Sequence, residues 1–120
     1  MLKGICSIVT GGSRGIGEEI CYGLASLGYD IAVVCSSNLT LAENVVSNCI
    51  EKYQVKAKAY CCDVSSFEGT KNLVSTIKED FSHIGVLVNN AGVTKDKLLV
   101  MMKEEDYDKV LDINLKGAFN

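Results

Sequence analysis

Proline does not occur anywhere in this sequence of 120 residues, although about 5% is ordinary for proteins. That absence suggests that part of a normal domain, with its proline-bearing loops, lies outside this stretch. An excess of positive charge is lacking too: 12 Lys and Arg against 15 Asp and Glu leave a net charge of −3. A basic footprint able to grip nucleic acid or an anionic lipid surface is thereby excluded. No apolar run approaches the roughly 20 residues a membrane span needs. Only Lys3 precedes a short apolar stretch at the start, which is too brief for the hydrophobic region of a signal peptide. The expectation is a cytoplasmic protein. Histidine occurs once, as His83; with no second histidine nearby it reads as a loop residue, and no metal site is expected.

Cysteine is present, but without a cysteine framework. Cys6, Cys21, Cys35, Cys49, Cys61 and Cys62 contain no C-x-x-C pair, and most sit inside apolar runs. They read as reduced, buried small hydrophobes. Those on adjacent parallel strands are not expected to be disulfides, since such neighbours do not normally offer the geometry.

What the sequence does contain is an alternation of apolar runs with helical-period segments. Ile5 to Val9 reads as a buried strand ending in Thr10-Gly11-Gly12. Ile16, Ile20, Leu24 and Leu27 then fall on one face of a helix stopped by Gly28. Ile31 to Cys35 is a second buried strand, and Thr40-x-x-Glu43 reads as a capping box opening a helix whose inner face carries Leu41, Val45, Cys49 and Ile50. Val55 to Cys61 suits a half-exposed edge strand, with Ala57, Ala59 and Cys61 on one face and Lys56, Lys58 and Tyr60 on the other. Ser65-x-x-Glu68 caps a third helix bearing Leu73, Val74, Ile77 and Phe81, and Val86-Leu87-Val88 is a fourth strand. The acidic turn Glu104-Glu105-Asp106 opens a last helix that runs to Asn120.

Strands alternating with helices imply parallel pairing through right-handed crossovers. With the first strand central and the third at an edge, the order is 3-2-1-4, with helices on both faces. This is the first half of a doubly wound, Rossmann-type α/β sheet. The fourth strand is as apolar as the first, so its outer edge expects a neighbour. The chain is read as a single nucleotide-binding domain spanning residues 1–120, truncated at its C-terminal end.

The first strand leads into Thr10-Gly11-Gly12-Ser13-Arg14-Gly15-Ile16-Gly17 and then a helix. Glycines at 11, 15 and 17 allow a sharp turn and leave room for a diphosphate, while the helix start supplies free N–H groups. A purely structural turn is the alternative, but the strand–turn–helix setting favours an anion cradle. No Lys-Ser/Thr follows the last glycine, so the spacing is not that of a P-loop. Asp63 and Asn90 lie at the C-terminal ends of predicted strands, where open parallel sheets bind ligands; Asp63 has an alternative role as a helix-entry residue. Asn114 falls on the apolar stripe of the last helix beside Tyr107, Val110, Leu111 and Ala118, where a buried amide either ties the helix to the core or holds water near a site. After the second strand, Cys35-Ser36-Ser37-Asn38 carries no acid. NAD-specific folds place an Asp or Glu there, so NADP(H) is expected, with Arg14, Ser36 and Ser37 at its 2′-phosphate.

The spacing T-G-x-x-x-G-x-G resembles that of the short-chain dehydrogenase/reductase family, and three further segments carry the resemblance: Cys62-Asp63-Val64, Asn89-Asn90-Ala91-Gly92, and Ile113-Asn114-Leu115. The stretch Gly92-Val93-Thr94-Lys95-Asp96-Lys97-Leu98-Leu99 with Met102-Lys103 looks like the 3-oxoacyl-(acyl-carrier-protein) reductase branch of fatty-acid synthesis. The resemblance implies NADP(H) contacts at Gly11, Gly12, Ser13, Arg14, Gly15, Ile16 and Gly17, at Ser36 and Ser37, at Asp63 and Val64 near the adenine, and at Asn90, Ala91 and Gly92. It implies a catalytic, proton-relaying role for Asn114, a substrate carried on acyl carrier protein, and a homo-oligomer, tetrameric when complete. The family also uses a Ser, and a Tyr with a Lys four residues on. None of Tyr22, Tyr29, Tyr53, Tyr60 and Tyr107 has that Lys; Tyr53 has Lys56, one residue short, on a predicted solvent-facing helix end. The chain therefore reads as the N-terminal, cofactor-binding portion of a longer reductase and is expected to be inactive alone. A short-chain reductase of a sugar, steroid or small ketone is the alternative enzyme, and a non-catalytic nucleotide-binding module the alternative of another class.

Overall fold

Six consecutive buried residues, Asp30–Cys35, form one of the two inner strands of a parallel sheet in the computed structural model, which describes residues 4–92 and 102–120. Strand β1 is Ile5–Thr10, β2 is Asp30–Cys35, β3 is Ala57–Cys61 and β4 is His83–Val88, in the order β3-β2-β1-β4. The α/β class and strand order expected from the sequence are both found. Helices α1 (Gly15–Ser26), α2 (Leu39–Tyr53) and α3 (Phe67–Asp80) connect the strands. After β4 come α4 (Glu104–Leu111), a π-helical turn (Asp112–Lys116) and the short α5 (Gly117–Phe119). Of the segment Gly92 to Leu99 quoted for the resemblance, residues 93–99 lie outside the described residues.

Alternation along β2 builds two cores. Ile31, Val33 and Cys35 pack with Val9, Cys21, Ala25, Ala42, Val45 and Cys49 beneath α1 and α2. Ala32 and Val34 face the other way, against Cys6, Ile8, Tyr60, Ile77 and Phe81 beside α3. Both faces are covered, which is why β2 reads as an unbroken apolar run.

Several local expectations need correction. The buried stripe of α1 is Gly17, Cys21 and Ala25; Ile16 and Leu27 are exposed, and Ile20 and Leu24 only partly covered. Small residues win that face because they let the helix lie close to the sheet. Helix α2 opens at Asn38, whose side-chain oxygen Oδ1 accepts from the Leu41 N–H at 3.2 Å, so Thr40 lies inside the helix. Its buried residues are Ala42, Val45 and Cys49, while Ile50 is exposed. Helix α3 is capped by Ser66, which accepts from Gly69 N–H at 3.0 Å, not by Ser65.

On β3, Tyr60 is buried and Cys61 exposed, the reverse of the expected solvent face. Tyr60 is drawn inward by α3, where its hydroxyl donates to Asp80 at 2.6 Å. Lys56 lies in the connection after α2, over the Phe81 ring at 4.7 Å and bonded to the Asp80 carbonyl, and is engaged away from Tyr53. His83 belongs to β4, not a loop. The register of β4 on β1 skips Gly85, since Cys6 pairs with Ile84 and Ser7 with Val86; a glycine there lets the strand bulge. Among the described residues no helix is long and apolar enough to cross a membrane.

Burial pushes the thiols of Cys6 and Cys21 up from 9.0 to about 12, and that of Cys49 to about 11. The unfolded chain therefore releases these protons first, so their contribution to stability is complete below pH 9 and is lost as pH rises from 9 towards 12. The urea midpoint is expected to begin falling above pH 9, and to fall less steeply in Cys21→Ala. An identical slope in the variant would contradict this.

Candidate functional site

The ends of β1 and β4 are joined by a single side chain. The Thr10 hydroxyl accepts from the N–H groups of Asn90 and Ala91 at 3.0 and 3.1 Å and lies 3.3 Å from the Val88 carbonyl, to which it donates. Asn90 returns the tie by donating its side-chain amide to the Gly11 carbonyl at 3.1 Å. Gly11 has a left-handed φ of +66°, and a Cβ on it would press on Asn90 and Ala91. A Cβ on Gly17 would collide with the Gly11 carbonyl oxygen and the Asn90 amide. Glycine at 17 thus lets the first turn of α1 slide under the end of β1. Gly15, also left-handed at +59°, has nothing within 4 Å of its missing Cβ, so its backbone lies bare.

Arg14 is the residue before α1 and offers no side-chain cap, which leaves the first N–H groups of the helix uncapped by it. Beside them lies a cavity of about 470 Å³ at the carboxyl ends of the strands. The glycine loop contributes Gly11, Ser13, Arg14, Gly15 and Ile16; β2 contributes Val34 and Cys35 with Ser36 after it. Cys62, Asp63 and Val64 close one side, and Asn90, Ala91 and Gly92 another, with Ile113 from the π turn.

Most of the residues singled out from the sequence are therefore brought together. Gly12 and Gly17 sit behind the wall: Gly12 packs on Cys21 and Val33, and both are buried. Ser37 is exposed and outside the cavity lining. Asp63 holds two positions at once. One carboxylate oxygen accepts from the Ser65 N–H and hydroxyl at 3.0 and 2.6 Å, shaping the entry to α3, while the residue lines the cavity. Val34, Cys35, Cys62 and Ile113 were not singled out. The rule that ligands sit at the carboxyl ends of parallel strands would have found the first three.

Asn114 is not where the helical stripe put it. Asp106, Val110, Ile113 and Gly117 face inward at ordinary helical spacing, an offset already set at Asp106 ahead of the π turn, while Tyr107, Leu111, Leu115 and Phe119 are exposed. Asn114 itself is largely exposed, yet its side-chain oxygen lies 3.1 Å from where a Cβ of Gly92 would be. It lines a small recess of about 20 Å³ with Thr10, Asn89 and Val64. Asn120 donates to the Val64 carbonyl at 2.9 Å and Gly117 packs closely on Val64, so the helix end holds the Asp63–Val64 corner.

Neither hydrogen-bonded tyrosine lines the cavity. Tyr22 donates to Glu18 at 2.7 Å and accepts from Asn48 at 3.0 Å, and burial, outweighing the lowering bond from Asn48, raises it to about 12. Tyr60, raised chiefly by burial and then by Asp80, faces the α3 side.

Residues 6–120 match the family model for short chain dehydrogenases. The chain belongs to the short-chain dehydrogenase family. It is 43% identical over 114 residues to the 3-oxoacyl-(acyl-carrier-protein) reductase of Staphylococcus epidermidis, covering 95% of this chain and 46% of that protein. An NADP-dependent mannitol dehydrogenase from Alternaria alternata is 38% identical over 121 aligned positions, covering 99% of this chain and 46% of its own length. The chain thus spans about half the length of the curated relatives it matches. Among solved structures, an alcohol dehydrogenase from the archaeon Thermococcus sibiricus complexed with 5-hydroxy-NADP superposes with a TM-score of 0.91 at 30% identity, over 96% of this chain and 48% of that one. An NAD+-bound xylitol dehydrogenase gives 0.90 at 33% identity, over 98% and 45%.

Replacing Thr10 by the isosteric Val leaves the Ala91 N–H without its acceptor and the Asn90 N–H with only the Val88 carbonyl, at 3.1 Å. Thr10→Val is expected to cost about 2 kcal/mol in urea denaturation, and Thr10→Ser, which keeps the hydroxyl, less than half of that. Equal losses would mean that the methyl group, not the oxygen, matters.

Proposed function

We propose that this chain is the cofactor-binding half of an NADP(H)-dependent reductase acting on 3-oxoacyl groups carried by acyl carrier protein, forming the 3-hydroxyacyl product. The observation that carries the reading is the cavity itself. A glycine loop, a helix start without a side-chain cap and the carboxyl ends of three strands converge on it. These residues fit a dinucleotide. The uncapped N–H groups and the bare Gly15 backbone suit a diphosphate. Asp63 and Val64 suit the adenine, with Asn90 at the same adenosine end and Ala91 and Gly92 beside it.

Arg14, Ser36 and the adjacent Ser37 would hold the 2′-phosphate, with no acid from Cys35 to Asn38 to repel it. The family contains both NADP and NAD users, as the mannitol and xylitol dehydrogenases illustrate, so this corner decides between them. When bound, the nicotinamide supplies the hydride. Asn114, at the rim beside Gly92, holds water and helps relay a proton. No tyrosine here has a lysine at the fourth following position, so in this reading the Ser and the Tyr–Lys pair that would bind and protonate the substrate oxygen come from the half of its relatives' length that this chain does not span. The complete protein would be a cytoplasmic homo-oligomer. A reductase of a polyol-derived or other small ketone is the second reading, supported by the mannitol dehydrogenase likeness at 38% identity.

Titration of the 120-residue chain is expected to give tighter binding of NADPH than of NADH. Arg14→Ala should weaken NADPH about tenfold or more, the worth of a charge-assisted hydrogen bond, and leave NADH nearly unchanged. Equal or tighter NADH binding by the unsubstituted chain would overturn the assignment.

The chain alone is expected not to oxidise NADPH with a 3-oxoacyl thioester, whereas a version extended through its downstream reading frame should. General acid catalysis alone is worth about 10²–10⁴-fold. Comparable turnover by the short chain would place the acid within these 120 residues.

A further inference from the structure

Two cysteines end neighbouring strands. Cys35 and Cys61 are register partners, the last residues of β2 and β3. Side chains of paired residues on parallel strands point to the same face, here the α1–α2 side where Ala57 and Ala59 pack with Cys35. Strands lie about 4.8 Å apart, within the roughly 4.4–6.8 Å between Cα atoms that a disulfide spans. Cys35 is buried and lines the cavity, while Cys61 is exposed. The Cys61 thiol donates to the Ser36 carbonyl at 3.3 Å, which keeps it beside the end of β2. Burial first, then the charge and hydrogen bonding of Cys61, hold the Cys35 thiol above its ordinary range. Cys62, next in sequence, packs with the opposite core on the α3 face and is turned away from both.

We propose that Cys35 and Cys61 are an oxidation site, at which a hydroperoxide converts the pair reversibly to a disulfide between the ends of β2 and β3, beside the cavity. The exposed Cys61 sulfur, as thiolate, attacks the peroxide oxygen, breaking the O–O bond and leaving a sulfenic acid while hydroxide departs. The Cys35 sulfur then attacks Cys61, forming the S–S bond, expelling the sulfenic oxygen as hydroxide and losing its own proton. With hydrogen peroxide as oxidant, two thiols and one peroxide give one disulfide and two waters. The burial of Cys35 keeps peroxide away from it, so the exposed Cys61 takes the first step. A bond between directly paired parallel strands is strained, and strained disulfides are the ones readily reduced again. Both residues end their strands, where the Cys62 N–H donates to the Cys35 carbonyl at 2.8 Å and holds the two ends side by side. Because Ser36 and Asp63 line the same corner, closure displaces the groups assigned above to the adenosine end; this second effect rests on the cofactor reading.

The test treats the reduced 120-residue chain with hydrogen peroxide and maps its thiols by mass spectrometry, before and after dithiothreitol. A Cys35–Cys61 cross-link that dithiothreitol reverses, and that Cys61→Ser abolishes while leaving Cys35 reduced, is expected. Overoxidised Cys61 beside an intact Cys35 thiol, or a Cys61–Cys62 bond in place of the cross-link, would overturn the site. The oxidised chain should bind 2′,5′-ADP at least fivefold more weakly than the reduced chain, with no such difference in Cys61→Ser; unchanged affinity in a cross-linked chain would overturn the coupling. If the reduced chain does not bind 2′,5′-ADP, the cofactor reading fails, and the thiol map still decides the cross-link.

Discussion

One oxygen atom organises this molecule's functional end. The Thr10 hydroxyl joins strands that are adjacent in space but about eighty residues apart in sequence, and it uses both its donor and its acceptor capacity to do so. Without it the Ala91 N–H would be unpaired at the edge of the core, where such a group is costly, and the Asn90 N–H would keep only the Val88 carbonyl. With them satisfied, Asn90 is free to use its side chain on Gly11. The glycine loop is consequently braced from the β4 side, in addition to its own tie to β2 through the Gly12 N–H and the Val34 carbonyl at 3.2 Å.

The second constraint is steric. Gly17, Cys21 and Ala25 present a stripe of small residues to the sheet, and this stripe, not the larger aliphatics, sets how α1 is rotated. Large residues on the inner face would hold the helix further off and withdraw its first turn from the end of β1. Ile16 and Leu27 are displaced outward as a result and remain exposed. Close approach of α1 and access to its N–H groups are thus one geometric fact.

Strand order and the position of the cavity were legible because they follow from long-range regularities: the alternation of element types, the unbroken apolar run at Ile31 to Cys35, and glycines between a strand and a helix. What misled was local competition. Two candidate caps stood near the start of α2, and Asn38 prevailed over Thr40; Ser66 prevailed over Ser65, whose hydroxyl is taken by Asp63. Periodicity favoured the bulky face of α1 because it weighs hydrophobicity and cannot register how closely a helix must approach. Tyr60 alternates with lysines and so read as exposed, but a partner twenty residues on, Asp80, holds its hydroxyl while the ring lies buried. Cys35 and Cys62 line the cavity by strand position, which no motif marks.

The π turn at Asp112–Lys116 has a bearing on how this helix tolerates change. Such a turn is how a helix absorbs one residue more than its regular winding would hold, keeping the segments on either side in their places. Removing a single residue there would restore ordinary winding and leave the flanking segments in place, whereas removing one from the regular turns of α4 would swing everything beyond it by about 100°, the angle per residue of an α-helix. Gly117 would then leave Val64, and Asn120 would lose the carbonyl to which it now donates. Length is therefore constrained in α4 as strictly as identity, while the π turn holds the one residue this helix can spare: a deletion within α4 is felt at the far side of the cavity, and one within the turn is absorbed.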